Sequence, residues 1–472
     1  MNRKTKVIAT LGPASSSEKN IARLIKLGVN IFRLNFSHGT HEQHAQLIKR
    51  IRMLAQKVNH PVGILADLPG PKLRLGLFEN SETLFLKANS RWLLTTEKVL
   101  GKEGVLPVDF PKLPSLLSKN DKILLADGKL QLIVNKIEGQ NIYCKVTVGG
   151  ELKERQGINI PGKKLDIPAF TFRDKKAIKM LKDVQVDFIA LSFIQTEKDI
   201  INVQKEMKKL GIDIPIIAKI EKPEALRRID SIIQLVDGIM IARGDLGVEI
   251  ETEKVPVIQK QLIRLANKAF KPVITATQML ESMTHNSRPT RAETTDVANA
   301  IWDGTDAVML SGETASGKYP METVKTMIKI IKYAESHRDF SWHPDFHDPK
   351  NPQHSVLNAA AKIADPKLHK GIVTYTESGN TAMMLSKMHP EVPIYALTPH
   401  AKTCQKMSLI RNVRAYISPA AESMDNLIAY GDQTLIKEKV FKKKDTVVIT
   451  AGSKLSVGAT NMMKIHNIGD FV

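Results

Sequence analysis

A chain of 472 residues is longer than one hydrophobic core normally serves, so two or three domains are expected. With 42% hydrophobic and 25% charged residues it has the make-up of a globular protein in water, and no apolar run approaches the roughly 20 residues of a membrane helix. The formal charge of +20 would suit a nucleic-acid binder, but Lys and Arg are spread along the whole chain and aromatics make up only 5%. No nucleic-acid or membrane partner is therefore expected; the basic surface suits a site for small polyanions. The basic N-terminus is followed by an apolar run, Val7 to Leu11, shorter than the roughly 7–15 residues of a secretory leader, and it reads as a strand. Two cysteines far apart, Cys144 and Cys404, match no ligand spacing and fit a reduced, cytoplasmic setting.

In chain order, short apolar runs alternate with helix-like stretches. They are Lys6 to Thr10, Val29 to Phe36, Val62 to Leu68, Val186 to Phe193, Pro215 to Glu221, Gly238 to Asp245, Lys271 to Met279 and Ala307 to Glu313. Near-continuous apolar runs suit parallel strands buried on both faces, and eight strand–helix units predict an α/β fold of the (β/α)₈ (TIM) barrel type, over 1–70 and 169–340. Between the third and fourth runs, residues 71–168 alternate apolar and polar, with a hairpin signal at Ile137-Glu138-Gly139-Gln140-Asn141. This predicts an inserted, β-barrel-like lid domain hinged on the barrel mouth. Residues 341–354 read as a linker. Beyond them, 371–376, 392–398, 413–418 and 445–452 repeat the strand pattern, predicting a C-terminal open parallel α/β domain over 355–472 with a regulatory or structural role.

The barrel reading explains where polar residues fall. Thr10, Arg33, Asn35, Asp67, Ser192, Lys219, Glu221, Arg243, Asp245, Thr277, Ser311 and Glu313 all lie toward the ends of the predicted strands, where barrel enzymes carry their chemistry. Glu221 and Asp245 end consecutive strands, and two carboxylates meeting at one point either share a proton or bind a hard cation. Lys219 shares a strand face with Glu221. A Lys beside two acids is also what a buried ion pair looks like. The further cations Arg33 and Arg243 tip the reading toward phosphoryl transfer, which needs positive charge around the moving group. The stretch Gly312 to Tyr319 nearly spells a phosphate-binding loop, but Tyr319-Pro320 stands where a metal-binding hydroxyl belongs, so that reading is rejected.

Four motifs in one order resemble the signatures of the pyruvate kinase family: Asn35 to Gly39 (NFSHG), Met240 to Gly247 (MIARGDLG), Ala276 to Met283 (ATQMLESM) and Met309 to Ala315 (MLSGETA). The resemblance spans essentially the whole chain. It implies transfer of phosphate from phosphoenolpyruvate to ADP, giving pyruvate and ATP in the last step of glycolysis. On matching positions it implies Mg²⁺ (with Mn²⁺ able to substitute) at Glu221 and Asp245, Lys219 at the phosphoryl in flight, and Arg33 on the phosphate. It places Gly244, Asp245 and Thr277 around the substrate, and Ser311 and Glu313 on the path of a proton to the enolate. Asn35, Phe36, Ser37, His38, Arg74 and Arg155 would face the nucleotide. It also implies a homotetramer. An Mg²⁺-dependent oxo-acid lyase that stabilises an enolate on the same barrel is the alternative.

Two departures stand out. Where K⁺-requiring members have Glu, this chain has Lys72, whose ammonium is expected to replace K⁺; Asn35, Ser37, Asp67 and the Leu68 carbonyl form the ligand set should a monovalent ion bind. Gln156 replaces a usual nucleotide-contacting Lys, beside Arg155. In the last domain, Thr376, Ser378, Gly379, Asn380 and Thr381 open a helix, an arrangement that serves equally as plain capping or as an anion site. Its resemblance to the family's effector loop points to a phosphorylated allosteric effector, with Lys454 completing the pocket.

Overall fold

The computed structural model describes residues 3–58, 60–81, 83–163, 168–342, 351–452 and 460–470. The eight runs form parallel strands, Lys6–Thr10, Ile31–Asn35, Gly63–Leu68, Phe188–Leu191, Ile216–Ile220, Gly238–Ala242, Val273–Ala276 and Ala307–Leu310. Neighbours in sequence pair side by side, and the last pairs with the first, closing a barrel. Inward-facing Ile8, Ile31, Leu65, Ile217, Met240, Ile274 and Met309 fill it, while a larger apolar layer packs its outer face against the helices. Three runs end three residues sooner than their hydrophobicity implies, the seventh at Ala276 rather than Met279. After Ala242 the chain turns into a short helix, Arg243–Glu249, and after Leu310 into another, Gly312–Ala315. Asp245 and Glu313 therefore stand on helical turns beyond the strands, because a short apolar run continues through a strand–helix junction without a change of period.

The face opposite the mouth is fastened by a repeated device. Asn30, Asp187, Asp237 and Asp306 each stand immediately before an even-numbered strand. Their side chains accept the backbone N–H of Val7, Ile64, Ile216 and Val273 on the preceding odd-numbered strand, at 2.7–3.0 Å. The backbone N–H of each clamp residue returns to the carbonyl of the same partner. Four two-bond rings thus fix the register of strand pairs one–two, three–four, five–six and seven–eight, and so the heights of the residues at the mouth.

The insertion carries a six-stranded sheet and a separate two-stranded pair, Leu84–Leu86 with Gly150–Leu152, around its own core, which includes Leu94, Leu106, Ile123, Leu132 and Val146. The foreseen hairpin is present: Leu130–Glu138 and Asn141–Val148 are antiparallel and join through Gly139 at φ 56°. The C-terminal sheet runs Val413–Ile417, Ile394–Thr398, Ile372–Tyr375, Thr446–Gly452, Thr460–Asn467. Its first four strands are parallel as expected, but the fifth is antiparallel, which corrects the all-parallel reading. That edge strand buries only alternate residues, so it lacks the continuous apolar run that marks the others.

The C-terminal domain plugs the barrel foot. Leu409 joins the barrel's interior cluster, and fully buried Lys387 reaches Asp306 and Asn267. Burial pushes the Lys387 ammonium below its usual range, and Asp306 restores it only in part. Lys387→Ala leaves the Asp306 carboxylate buried beside the Val273 N–H without its cation. It is expected to destabilise the chain by about 3–5 kcal/mol, measured as a lowered unfolding midpoint. Lys387→Met with Asp306→Asn should recover part of the loss.

Candidate active site

Adjacent strands bring the polar residues together at the mouth. Register pairs Thr10 with Arg33 and Asn35 with Asp67. Arg33 Nε lies 2.6 Å from Asp67 Oδ2, and its Nη1 donates to Thr10 Oγ1 at 3.1 Å, so the guanidinium is fixed while another nitrogen remains for a ligand. Buried Lys219 donates to Ser192 Oγ at 2.8 Å and lies 3.3 Å from Asp67 Oδ1 and 2.8 Å from Glu221 Oε1. Ser192 in turn donates to the Leu68 carbonyl at 2.8 Å.

The charges explain one another. Burial alone would discharge Lys219, but Asp67, Glu221 and Asp245 outweigh it and hold the ammonium well above its usual range. Burial opposes Asp67 as well, yet Lys219 and Arg33 keep it ionised. Glu221, wholly enclosed, is pushed up by burial and by Asp245, against the pull of Lys219. Its Oε2 accepts the Phe193 N–H at 2.7 Å. Its Oε1 is buried and lies 2.8 Å from the Lys219 nitrogen in an ion pair, and no other donor reaches it among the described residues. An enclosed carboxylate oxygen answered only by the Lys219 ammonium, with a second carboxylate close enough to raise its pKa, suits a hard divalent cation that completes its shell with substrate oxygens. Among the described residues no cluster of three or more His, Cys, Asp or Glu side chains could hold a metal without such help.

Lys72 sits within this field. Its ammonium is 3.2 Å from Asp245 Oδ1 and 2.9 Å from Asp127 Oδ1 of the insertion. Burial opposes its charge, but the two carboxylates raise its pKa above the usual value. Arg243, expected among the phosphate cations, is consumed elsewhere: it binds Asp296 at 2.7 Å and donates to the Thr277 carbonyl at 2.8 Å. It braces the turn at Thr277, a β-branched residue held at φ 67°, followed by Gln278 at φ 56°. Thr277 Oγ1 accepts the Gly244 N–H at 2.7 Å, and a Cβ on Gly244 would come within 3.3 Å of that oxygen, so glycine permits the approach.

Glu313 is enclosed, with both oxygens accepting backbone N–H groups, from Leu280 at 3.2 Å and Ser311 at 2.7 Å; burial nevertheless pushes its pKa up. The Ser311 hydroxyl is a buried polar atom without a partner. Asn35 Oδ1 accepts the Ser37 N–H at 3.1 Å. The Phe36 ring is turned inward and stacks on His44 at 4.1 Å, leaving its backbone as the part that can face a nucleotide. His38 is exposed at the surface, yet partial desolvation, with the nearby Arg74 and Arg33, lowers its pKa. Arg74 donates to the Arg155 carbonyl at 3.0 Å, Arg155 is exposed at φ 58°, and the Gln156 side chain folds back onto the Lys153 N–H. The sequence reading passed over Asp127, Lys222, Glu249 and Asn159. Glu249 Oε1 lies 2.6 Å from Lys222 and 2.9 Å from Asn159, tying insertion to barrel. The position of Lys222 directly after Glu221 was the available signal.

In the C-terminal domain, Thr376 Oγ1 accepts the Gly379 N–H, Ser378 Oγ that of Asn380, and Thr381 meets Thr460 at 3.0 Å. They edge a cavity of about 220 Å³ that also touches Thr398 and Gly452. Lys454 lies outside the described residues.

A closed (β/α)₈ barrel whose mouth combines Lys219, Arg33 and an acid pair fit for a divalent ion defines a barrel enzyme acting on anionic substrates. Comparison with known proteins narrows this. The family model described as "Pyruvate kinase, barrel domain" matches residues 2–324, and "Pyruvate kinase, alpha/beta domain" matches 354–466. Proteins named pyruvate kinase from Corynebacterium efficiens and Thermotoga maritima are 40% and 41% identical, covering 100% and 99% of this chain and 99% and 100% of their own lengths. One from Geobacillus stearothermophilus is 42% identical over 100% of the chain and 81% of its own length. The chain belongs to the pyruvate kinase family and is a phosphotransferase.

The strained turn gives a test. Thr277→Ala and Thr277→Gly both remove the acceptor for the Gly244 N–H and are expected to lose turnover. Glycine should be the more stable of the two by about 1 kcal/mol, because it relieves the left-handed backbone. Unfolding midpoints measure this, and equal midpoints would show that the turn stores no strain.

Proposed function

We propose that the chain transfers the phosphoryl group of phosphoenolpyruvate to ADP, forming pyruvate and ATP, and that Lys219 is its central catalytic group. The observation that carries the reading is the buried ammonium of Lys219, kept charged by Asp67, Glu221 and Asp245 at the barrel mouth. Glu221 and Asp245 would hold Mg²⁺ (or Mn²⁺), which supplies Lewis-acid neutralisation of the phosphate and enolate oxygens. Lys219 neutralises charge on the phosphoryl group as it moves between oxygens, and Arg33, fixed by Asp67 and Thr10, orients it before transfer. Thr277, Gly244 and Asp245 position the substrate carboxylate end. The unpartnered Ser311 hydroxyl, on a turn held by Glu313, lies on the path by which a proton from water would reach the enolate carbon, accepting one proton as it passes another on. Asn35, Ser37, His38, Arg74, Arg155 and the Phe36 backbone receive the nucleotide. A lid role for the insertion fits the contacts of Lys72 with Asp245 and of Asn159 with Glu249 between insertion and barrel. The domain limits proposed are 1–70 with 169–340, 71–168 and 355–472, with 341–354 as linker.

We infer further that Lys72 replaces K⁺, since its ammonium already answers Asp245. Asn35, Ser37, Asp67 and Leu68 are the set a monovalent ion would use otherwise. The loop from Thr376 to Thr381 is proposed to bind a phosphorylated effector, and the enzyme to act as a cytoplasmic homotetramer. No helix among the described residues is long and apolar enough to cross a membrane. The oxo-acid lyase alternative finds no support among the relatives, each of which carries a pyruvate kinase name.

The test is a coupled assay with phosphoenolpyruvate, ADP and Mg²⁺ in K⁺-free Tris buffer. Nucleotide-dependent pyruvate formation is expected, with little gain on adding K⁺. Lys219→Met should fold normally and lose about 10²–10³ in turnover, the scale of one lost transition-state donor. Pyruvate released without nucleotide, or near-normal turnover in the variant, would overturn the reading; strong activation by K⁺ would overturn the Lys72 assignment alone.

A further inference from the structure

Between the Lys219 ammonium and the entry to the insertion lies a buried hydroxyl, that of Ser192, directly after the fourth barrel strand, Phe188–Leu191. Its Oγ accepts an N–H from Lys219 at 2.8 Å and donates its own proton to the Leu68 carbonyl at 2.8 Å. A hydroxyl has one proton to give, so the bond to Leu68 leaves only lone pairs facing the ammonium. Asp67 Oδ1, at 3.5 Å, is the weaker competitor for that proton.

The next residue grips the same neighbouring strand. Phe193 holds φ at 58°, in the left-handed region that disfavours a residue with a bulky side chain, and its N–H donates to Glu221 Oε2 at 2.7 Å. Ser192 and Phe193 thus hold Lys219 and Glu221, two residues apart at the mouth end of the fifth strand, Ile216–Ile220. Strain kept at such a turn points to a position that serves the site. The turn is packed from its other side as well: a Cβ on Gly70, at the entry to the insertion, would come within 3.1 Å of the Ser192 Cβ.

An ammonium has three N–H donors. Lys219 faces three acceptors, Ser192 Oγ at 2.8 Å, Glu221 Oε1 at 2.8 Å and Asp67 Oδ1 at 3.3 Å. Two are carboxylates, whose negative charge offsets what the ammonium can offer a phosphoryl group. Ser192 is the neutral one, and it fixes direction without adding charge. We propose that Ser192 is a positioning residue for phosphoryl transfer, holding the Lys219 ammonium out from the two carboxylates so that an N–H is aimed at the moving group. This rests on the catalytic role of Lys219. Without the hydroxyl, the ammonium settles between Asp67 and Glu221 and its charge is drawn onto them. The loss falls on the transition state, because Arg33, fixed separately by Asp67 and Thr10, still receives the phosphate of the bound substrate.

The test is a double-mutant cycle of Ser192→Ala and Lys219→Met, read by steady-state kinetics and by manganese titration followed by electron paramagnetic resonance. Ser192→Ala should lower kcat about ten- to a hundredfold, the scale of one hydrogen bond to a charged group, with KM for phosphoenolpyruvate and ADP held within about threefold. Ser192→Cys, close in size but a weak acceptor, should fall with it. In the Lys219→Met background, Ser192→Ala should cost less than about twofold, because the group it positions is gone. Manganese affinity of Ser192→Ala should stay within about threefold of wild type, since the Phe193 N–H still holds Glu221. Equal losses in the two backgrounds would overturn the proposal and make Ser192 a structural residue. Wild-type kcat in either single Ser192 variant would overturn it too. So would manganese affinity lowered about tenfold or more in Ser192→Ala, which would tie the hydroxyl to the carboxylates instead. Near-normal turnover of Lys219→Met alone would overturn the role of Lys219 itself, so the two failures are distinct.

Discussion

The active-site end of the molecule depends on one electrostatic balance, the ammonium of Lys219 kept charged inside the barrel by Asp67, Glu221 and Asp245. Burial alone lowers the pKa of that ammonium and raises those of Asp67 and Glu221. Together, Lys219 and Asp67 hold each other charged, while burial and Asp245 still push Glu221 upward, and the cations Arg33 and Lys72 answer the same carboxylates. Remove any member and the ionisation of the others changes, so these residues act as a unit and their substitutions should not add.

The balance requires positional accuracy, and the barrel provides it from the far end. Four rings built on Asn30, Asp187, Asp237 and Asp306 lock the strand registers in pairs, so that Asp67, Lys219 and Glu221 arrive at matching heights. Asp306 serves twice, since it also pairs with Lys387 of the C-terminal domain. The same residue thus joins barrel register to the docking of the domain that carries the proposed effector loop. Arg243 contributes from the side, spending its charge on Asp296 and on the carbonyl of Thr277 to hold a left-handed turn against its preference.

Much of this was legible in the sequence because parallel strands buried on both faces read as apolar runs, and barrel chemistry sits at their ends. All eight barrel strands and four of the C-terminal ones announce themselves this way. The fifth C-terminal strand does not, since it exposes alternate side chains and mixes Asn, Lys and His with its apolar residues. The junctions at Ala242 and Leu310 were invisible because apolar character continues into the following helix. Side-chain direction was the other limit: residue type alone did not reveal that Arg243 turns to the scaffold or that Phe36 turns inward against His44. The four Asn and Asp residues before alternate strands were visible in sequence, but their role appears only once the strands are paired.

The central claim is that Glu221 and Asp245 together hold a divalent ion next to a charged Lys219. Manganese binding followed by electron paramagnetic resonance addresses this directly, with wild type compared to Glu221→Gln and Asp245→Asn. One site per chain is expected, weakened at least about ten- to a hundredfold in each variant. Unaltered manganese affinity in both variants would contradict the account.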